Sequence, residues 1–152
     1  KYGLDCASLY KPHDEIGGDL WSLRALDDDH LGLVLVDASA HGLAGAINAL
    51  RVDCLVQEYH DQLPDPGDFL VKLDAAMAKI SFGQLFAGAF ALTFNRLTGK
   101  ILFAGSGIPS ALLHCRGTGQ SVTAKTTFSF RKRSLATIWI VAVCLSSEST
   151  SL

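Results

Sequence analysis

No aspartate occurs after Asp74, and beyond residue 80 the only acidic residue is Glu148. Almost half of the chain therefore has a single carboxylate side chain, the type that hard cations favour as ligand. Charged residues make up only 18% of the 152, against roughly 25% in an average soluble domain. The net charge of −2 gives no reason to expect nucleic acid or an anionic membrane as partner. The four cysteines (Cys6, Cys54, Cys115 and Cys144) lie far apart with no C-x-x-C pair. That spacing argues against a zinc site or a disulfide framework and fits a reduced, cytoplasmic setting. The apolar run 136–145 is ten residues long, too short to span a bilayer. No secretory signal pattern follows Lys1. The chain opens almost directly on its first strand, as expected of a domain cut from a longer protein. A G-x-x-x-x-G-K-[ST] P-loop, a complete dinucleotide fingerprint, a G-x-S-x-G elbow and an internal repeat are all missing.

What is present is a globular pattern, with 49% hydrophobic residues in one domain large enough to bury about two-thirds of its unfolded surface. Residues 4–10 alternate like a half-buried strand, and Lys11-Pro12-His13-Asp14 breaks it. Strands are expected at 19–26 and 31–36, joined by the acidic turn Asp27-Asp28-Asp29-His30 in hairpin-like spacing. From 43 to 59, one apolar set (43, 46, 47, 50, 54) and another (52, 55, 56, 59) both follow helical spacing, so this helix is expected to be buried on two sides, with Cys54 in the core. A second helix opens at Asp65-Pro66, with Asp65 as N-cap and Pro66 in the first position. Its stripe runs through 69, 70, 73, 76, 77 and 80, with Met77 as core filler. Strands follow at 86–94, 100–104 and 111–115, with hairpin turns at 95–99 and 116–119. Two strand groups bracketing a helical pair predict an α+β fold with largely antiparallel sheets. Past residue 121 the chain turns rich in Ser, Thr, Lys and Arg, and then reaches the apolar run at 136–145.

Asp37 ends the apolar run 31–36, and Gly17-Gly18 sets Asp19 at the start of its own strand. If those strands are neighbours, two carboxylates converge, and they repel each other unless a cation sits between them. On residue type alone, both read first as turn formers or helix caps, and spacing alone does not overturn that. His13, His30, His60 and His114 have no ligand spacing and read as surface residues.

The blocks Glu15-Ile16-Gly17-Gly18-Asp19 and Asp37-Ala38-Ser39-Ala40-His41-Gly42 resemble the paired signature of the bacterial PPM-type (protein phosphatase 2C-like) serine/threonine phosphatases. The likeness is to the branch of stage II sporulation protein E and its stress-response, sigma-regulating relatives. A third block, from Phe86-Ala87-Gly88-Ala89-Phe90 to Ala104-Gly105-Ser106-Gly107-Ile108-Pro109, resembles the family's next hairpin. The resemblance implies a layered α-β-β-α sandwich of two mostly antiparallel sheets flanked by helices. Residues 1–120 would form the phosphatase-like part and 121–152 a divergent segment, leaving the C-terminal part incomplete or atypical. It also implies two Mn²⁺ or Mg²⁺ ions and a bridging water that attacks the phosphorus of phosphoserine or phosphothreonine. The substrate class is a phosphorylated anti-sigma-factor antagonist. Carried over by position, Asp19 ligates one metal, Asp37 bridges both, and the main-chain carbonyl of Ala38 is a further ligand. Glu15 either reaches a metal-bound water or holds the loop. His41 is either a general acid or the shaper of the turn, and Gly18 and Gly42 support the site. Gly42 and Gly45 are expected to let backbones approach closely. A homodimer is compatible with this reading.

Ala40 stands where the family usually has Gly, and Ile108 where it usually has His. The family's further aspartates, from its C-terminal third, have no counterpart here. The alternative function is therefore a catalytically dead or truncated phosphatase-like domain acting as a binding module. The change of composition near 121 is read either as a reading-frame change or as true divergence.

Overall fold

The computed structural model describes Tyr2 and residues 17–38, 42–80, 87–108, 110–115, 120–125 and 142–144. Asp19–Ala25 (β1) and His30–Ala38 (β2) form an antiparallel hairpin. Two helices follow, Gly42–Glu58 (α1) and Pro66–Ile80 (α2), with a short 3-10 turn at His60–Gln62 between them. Ala87–Asn95 (β3) and Ile101–Ser106 (β4) form a second hairpin, and β2 pairs antiparallel with β3, so the four strands lie in the order β1-β2-β3-β4. Ser110–Cys115 (β5), Gln120–Lys125 (β6) and Ala142–Cys144 (β7) make a three-stranded sheet in the order β6-β5-β7. The expected α+β class with mostly antiparallel strands is what the chain forms. The departure is β5–β7, which is parallel.

Side-chain alternation along β2 and β3 sends the two faces of the sheet to different partners. Val34 and Val36 of β2 and Ala89 and Ala91 of β3 pack against Val52, Leu55 and Val56 of α1 and Phe69, Leu73 and Ala76 of α2. Met77 packs against this core from its edge, as its place in the stripe predicts. On the opposite face Phe90, Leu92, Phe94 and Ile108 gather, with Leu31, Leu33, Leu35 and Ile101 against them.

One contact fixes how the helical layer sits. A Cβ on Gly32 would come 2.3 Å from Leu63 Cδ2, so the bare strand position makes room for Leu63, which is 1% exposed. Thr93, the register partner of Gly32, donates its hydroxyl to the Leu63 carbonyl. The backbone that leaves the 3-10 turn is thus seated on the middle of the sheet. From there Asp65 Oδ1 accepts from Gly67 N and Asp68 N, both at 3.0 Å, as the expected N-cap of α2.

Helix α1 departs from its sequence pattern. Only the set facing the sheet is buried; Leu43 is 69% and Leu50 65% exposed, Ile47 is exposed beside them, and so is Cys54. The expectation of burial on two sides, and of Cys54 in the core, is therefore corrected. Helical periodicity marks a face as apolar, but whether anything covers that face is decided by the packing of other elements. The strand expected at 4–10, the turn at 116–119 and most of the run 136–145 lie outside the described residues; β7 falls within that run. Among the described residues, no helix is long and apolar enough to cross a membrane.

Candidate functional site

At the open end of the first hairpin, Asp19 and Asp37 are direct register partners. Cα atoms so paired on antiparallel strands lie about 4.5–5.5 Å apart, and side chains at paired positions share one sheet face. The two carboxyl groups come within hydrogen-bonding reach of each other. Both residues are half-buried. Burial, followed by the Asp37 charge and the hydrogen bond with Asp37, raises the Asp19 pKa from 3.8 to about 6. The pair therefore prefers to hold a proton where two bare carboxylates would repel.

Register explains why this pair forms. The strand pairing runs without a bulge from Ala25↔Leu31 to Asp19↔Asp37, so the tight acidic turn at 27–29 fixes which residues meet at the other end. Beyond β1, the carbonyl of the buried Gly18 accepts from Ala38 N at 3.2 Å. That bond extends the hairpin one step past the carboxylates and holds Ala38 in place. Gly42 opens α1 with φ +63°. Among the described residues a Cβ there would meet nothing within 4 Å, so within them its role is left-handed backbone, and the close approach expected from sequence is not seen. His41 and Glu15, and Ala40 with them, lie outside the described residues.

A small pocket of about 30 Å³ opens at the pair, lined by Asp19, Leu20, Trp21, Leu35, Val36, Asp37 and Ile108. Sequence reasoning found the two acids and missed the apolar walls. Trp21↔Leu35 is the next pair but one along the same ladder, so the hairpin register, once assumed, would have placed those two beside the acids. Ile108 carried no such local signal.

Two opposed carboxylates, one of them holding a proton through burial and the nearness of the other, are a donor set suited to one divalent cation, whose charge offsets the repulsion. Among the described residues, no group of three or more His, Cys, Asp or Glu side chains comes together, so they do not by themselves furnish a set for two ions. The aspartates at 27–29 are engaged otherwise. Asp27 Oδ1 accepts from Asp29 N and His30 N, each at 2.7 Å, and Asp27 Oδ2 lies 2.9 Å from His30 Nδ1. Asp29 pairs with Arg96 at 2.8 Å. His60 lies against Asp61 at 2.9 Å.

The profile of the family described as Stage II sporulation protein E (SpoIIE) matches residues 27–128, a span that includes Asp37 and begins after Asp19. No curated protein matches the sequence. Among solved structures, the chain is similar to the SiaA-PP2C domain of Pseudomonas aeruginosa, with a TM-score of 0.67 at 23% identity, over 78% of this chain and 47% of that one. It is also similar to RsbX, solved in complex with magnesium, with a TM-score of 0.62 at 22% identity, over 80% of this chain and 57% of that one. The chain thus spans about half the length of these two structures. At such identities the likeness is one of fold.

Proposed function

The chain belongs to the stage II sporulation protein E family, and from that premise we propose that it is a metal-dependent phosphoprotein phosphatase domain of bacterial signalling. Its substrate is phosphoserine or phosphothreonine in an anti-sigma-factor antagonist, and its setting is the cytoplasm. The observation that carries this reading is the register pairing of Asp19 with Asp37 in a pocket with apolar walls. Asp19 and Asp37 hold the cation, Mn²⁺ or Mg²⁺, with the Ala38 carbonyl as a further oxygen donor. When bound, a divalent cation offsets phosphate charge and lowers the pKa of water.

The protein's own groups do the rest. Asp19 keeps a proton at low pH and gives it up as pH rises through about 6, which readies the pair for a cation near neutrality. Trp21, Leu35 and Ile108 give the half-buried pair apolar walls, which strengthens its field over that in open water. His41 delivers a proton to the departing serine or threonine oxygen. The test is release of p-nitrophenol from p-nitrophenyl phosphate: the wild type is active with Mn²⁺ and silent without a divalent cation, and Asp37→Asn is inactive.

A second reading has its own support. No aspartate follows Asp74, and the described residues bring no third acidic, His or Cys ligand to the pair. A domain with so few anionic ligands binds metal weakly and serves as a phosphatase-like binding module. If the wild type and Asp37→Asn are equally silent with saturating Mn²⁺, the module reading stands and the enzyme reading falls.

A further inference from the structure

His30 and Asn95 are register partners at the turn end of the β2–β3 ladder, and hydrogen bonds run through them from one hairpin turn to the other. Asn95 Oδ1 accepts from Leu97 N at 3.0 Å and from Thr98 N at 2.9 Å. Only the oxygen of a side-chain amide can accept, so those two bonds fix which way the group lies and leave Nδ2 toward the histidine. Asn95 Nδ2 stands 2.8 Å from His30 Nε2. A bond between the two requires a lone pair on Nε2, because the amide nitrogen only donates. The ring proton then sits on Nδ1, which donates to Asp27, with Oδ1 at 3.0 Å and Oδ2 at 2.9 Å. The neighbours thus select a neutral ring of one tautomer.

A second set of bonds joins the same two turns without a histidine. Arg96 pairs with Asp29 at 2.8 Å, its Nε donates to the Asp28 carbonyl at 2.8 Å, and its backbone N donates to the Asp29 carbonyl at 2.9 Å. The Lys100 carbonyl accepts from Asn95 N at 2.9 Å, and the Tyr2 hydroxyl donates to the Asp27 carbonyl at 2.6 Å. The charged and titratable groups around the half-buried ring are therefore Asp27, Asp28 and Asp29 of its own turn, Arg96 and Lys100 of the facing turn, and Tyr2. They pull in opposite directions. Asp27 favours a charged ring, whereas Asn95 bonds only to a neutral one.

We propose that His30 is a proton-sensitive fastener between the β1–β2 and β3–β4 turns. The neutral ring bridges Asp27 and Asn95. A proton that charges the ring lands on Nε2 and sets N–H against N–H, so the bond to Asn95 breaks while the ion pair with Asp27 strengthens. Asn95 cannot offer its oxygen instead without giving up Leu97 N and Thr98 N. Imidazole is the one side chain whose ordinary charge change falls between about pH 5 and 8, which makes it the group in this network that mild acid switches. Arg96 keeps the turns attached in both states, so the change stays local to this corner of the sheet. The device is independent of the reaction proposed above, since His30 and Asp37 lie at opposite ends of β2.

The experiment is nuclear magnetic resonance of the ¹⁵N-labelled whole chain, titrated across about pH 8 to 5, for the wild type, His30→Gln and Asn95→Asp. His30→Gln identifies the ring signals among the five histidines, and its amide oxygen accepts from Asn95 at every pH. Asn95→Asp keeps one oxygen for Leu97 N and Thr98 N and puts a second where the amide nitrogen stood. In the wild type, His30 is expected as the Nδ1–H tautomer at the alkaline end, and the Asn95 side-chain amide shifts with the same midpoint as the ring. His30→Gln removes that shift. Asn95→Asp raises the midpoint of His30 by about one pH unit or more, because a carboxylate accepts from the charged ring. A wild-type ring protonated on Nε2 at the alkaline end overturns the fastener, as does an Asn95 amide that ignores the ring's midpoint. An unmoved midpoint in a folded Asn95→Asp overturns it too. Should Asn95→Asp fail to fold, the wild-type tautomer and the Asn95 shift decide alone.

Discussion

The β1–β2 hairpin carries aspartates at both of its ends, and the two ends treat them in opposite ways. At the turn, Asp27 is exposed and accepts two backbone N–H bonds and a bond from His30. Those donors, the Asp29 backbone foremost, lower its pKa. Asp29 has Arg96 as counter-ion, and Arg96 Nε also donates to the Asp28 carbonyl at 2.8 Å. At the open end, Asp19 meets another carboxylate, and its pKa rises to about 6. The same residue type on the same two strands is structural where the fold supplies donors. Where the fold supplies a second anion instead, the residue holds its proton to higher pH, and under the proposed function it is a cation ligand. Counting acids along the sequence cannot separate the two cases; hydrogen-bond donors and register do.

The largest expected effect follows directly. Asp37→Asn removes one of the two charges and is expected to abolish Mn²⁺ binding, whereas Asp28→Asn at the turn leaves the affinity unchanged; calorimetry on both variants checks this. Equal losses at the two ends would erase the distinction between them.

Between the ends, the comparison depends on a rigid strand centre. Gly32→Val places a side chain where Leu63 already packs, and overpacking of this kind costs about 1–3 kcal/mol. Chemical denaturation should show that loss. An unchanged midpoint would mean that Leu63 is free to move and that the seat on the sheet is soft.

Titration gives a finer contrast, because the two ends carry opposite signs. Asp19 has its folded pKa raised from 3.8 to about 6. In metal-free protein its contribution to stability is fully present below pH 3.8 and is lost as pH rises through about 6. Asp27 has its folded pKa lowered from 3.8, so its contribution is present above that value and is lost as pH falls through the folded pKa. Melting temperatures measured across the acid range should show Asp19→Asn removing the decline toward pH 6 and Asp27→Asn removing part of the loss at the acid extreme. Changes of the same sign from both variants would contradict the account. The smallest effect is expected at Asp65, a carboxylate with donors like Asp27. Asp65→Ala loses the N-cap of α2 at a cost of about 1 kcal/mol, read by the same denaturation, with Mn²⁺ affinity unchanged.

Much of this hairpin was legible in the sequence. The apolar run 31–36, the turn residues at 27–29 and the paired glycines before Asp19 set its two strands and their antiparallel sense, and the resemblance to a phosphatase family singled out Asp19 and Asp37. The N-cap at Asp65 and the turn at Asn95 were equally local; Asn95 Oδ1 accepts from Leu97 N at 3.0 Å and Thr98 N at 2.9 Å. What escaped was non-local. Helix α1 shows two apolar stripes in sequence, yet the sheet covers only one, which leaves Leu43, Leu50 and Cys54 exposed. Gly42 was expected to serve close packing, and among the described residues it serves its positive φ. Ile108 reaches the pocket only through the crossing of Gly88 and Gly107, a contact between strands that no periodicity encodes.

The most direct measurement is anomalous scattering from a crystal of the wild type soaked in Mn²⁺. The account predicts a peak between the carboxylates of Asp19 and Asp37, beside Ile108. A well-ordered map with no peak there, or with its only peak at the 27–29 turn, would contradict it.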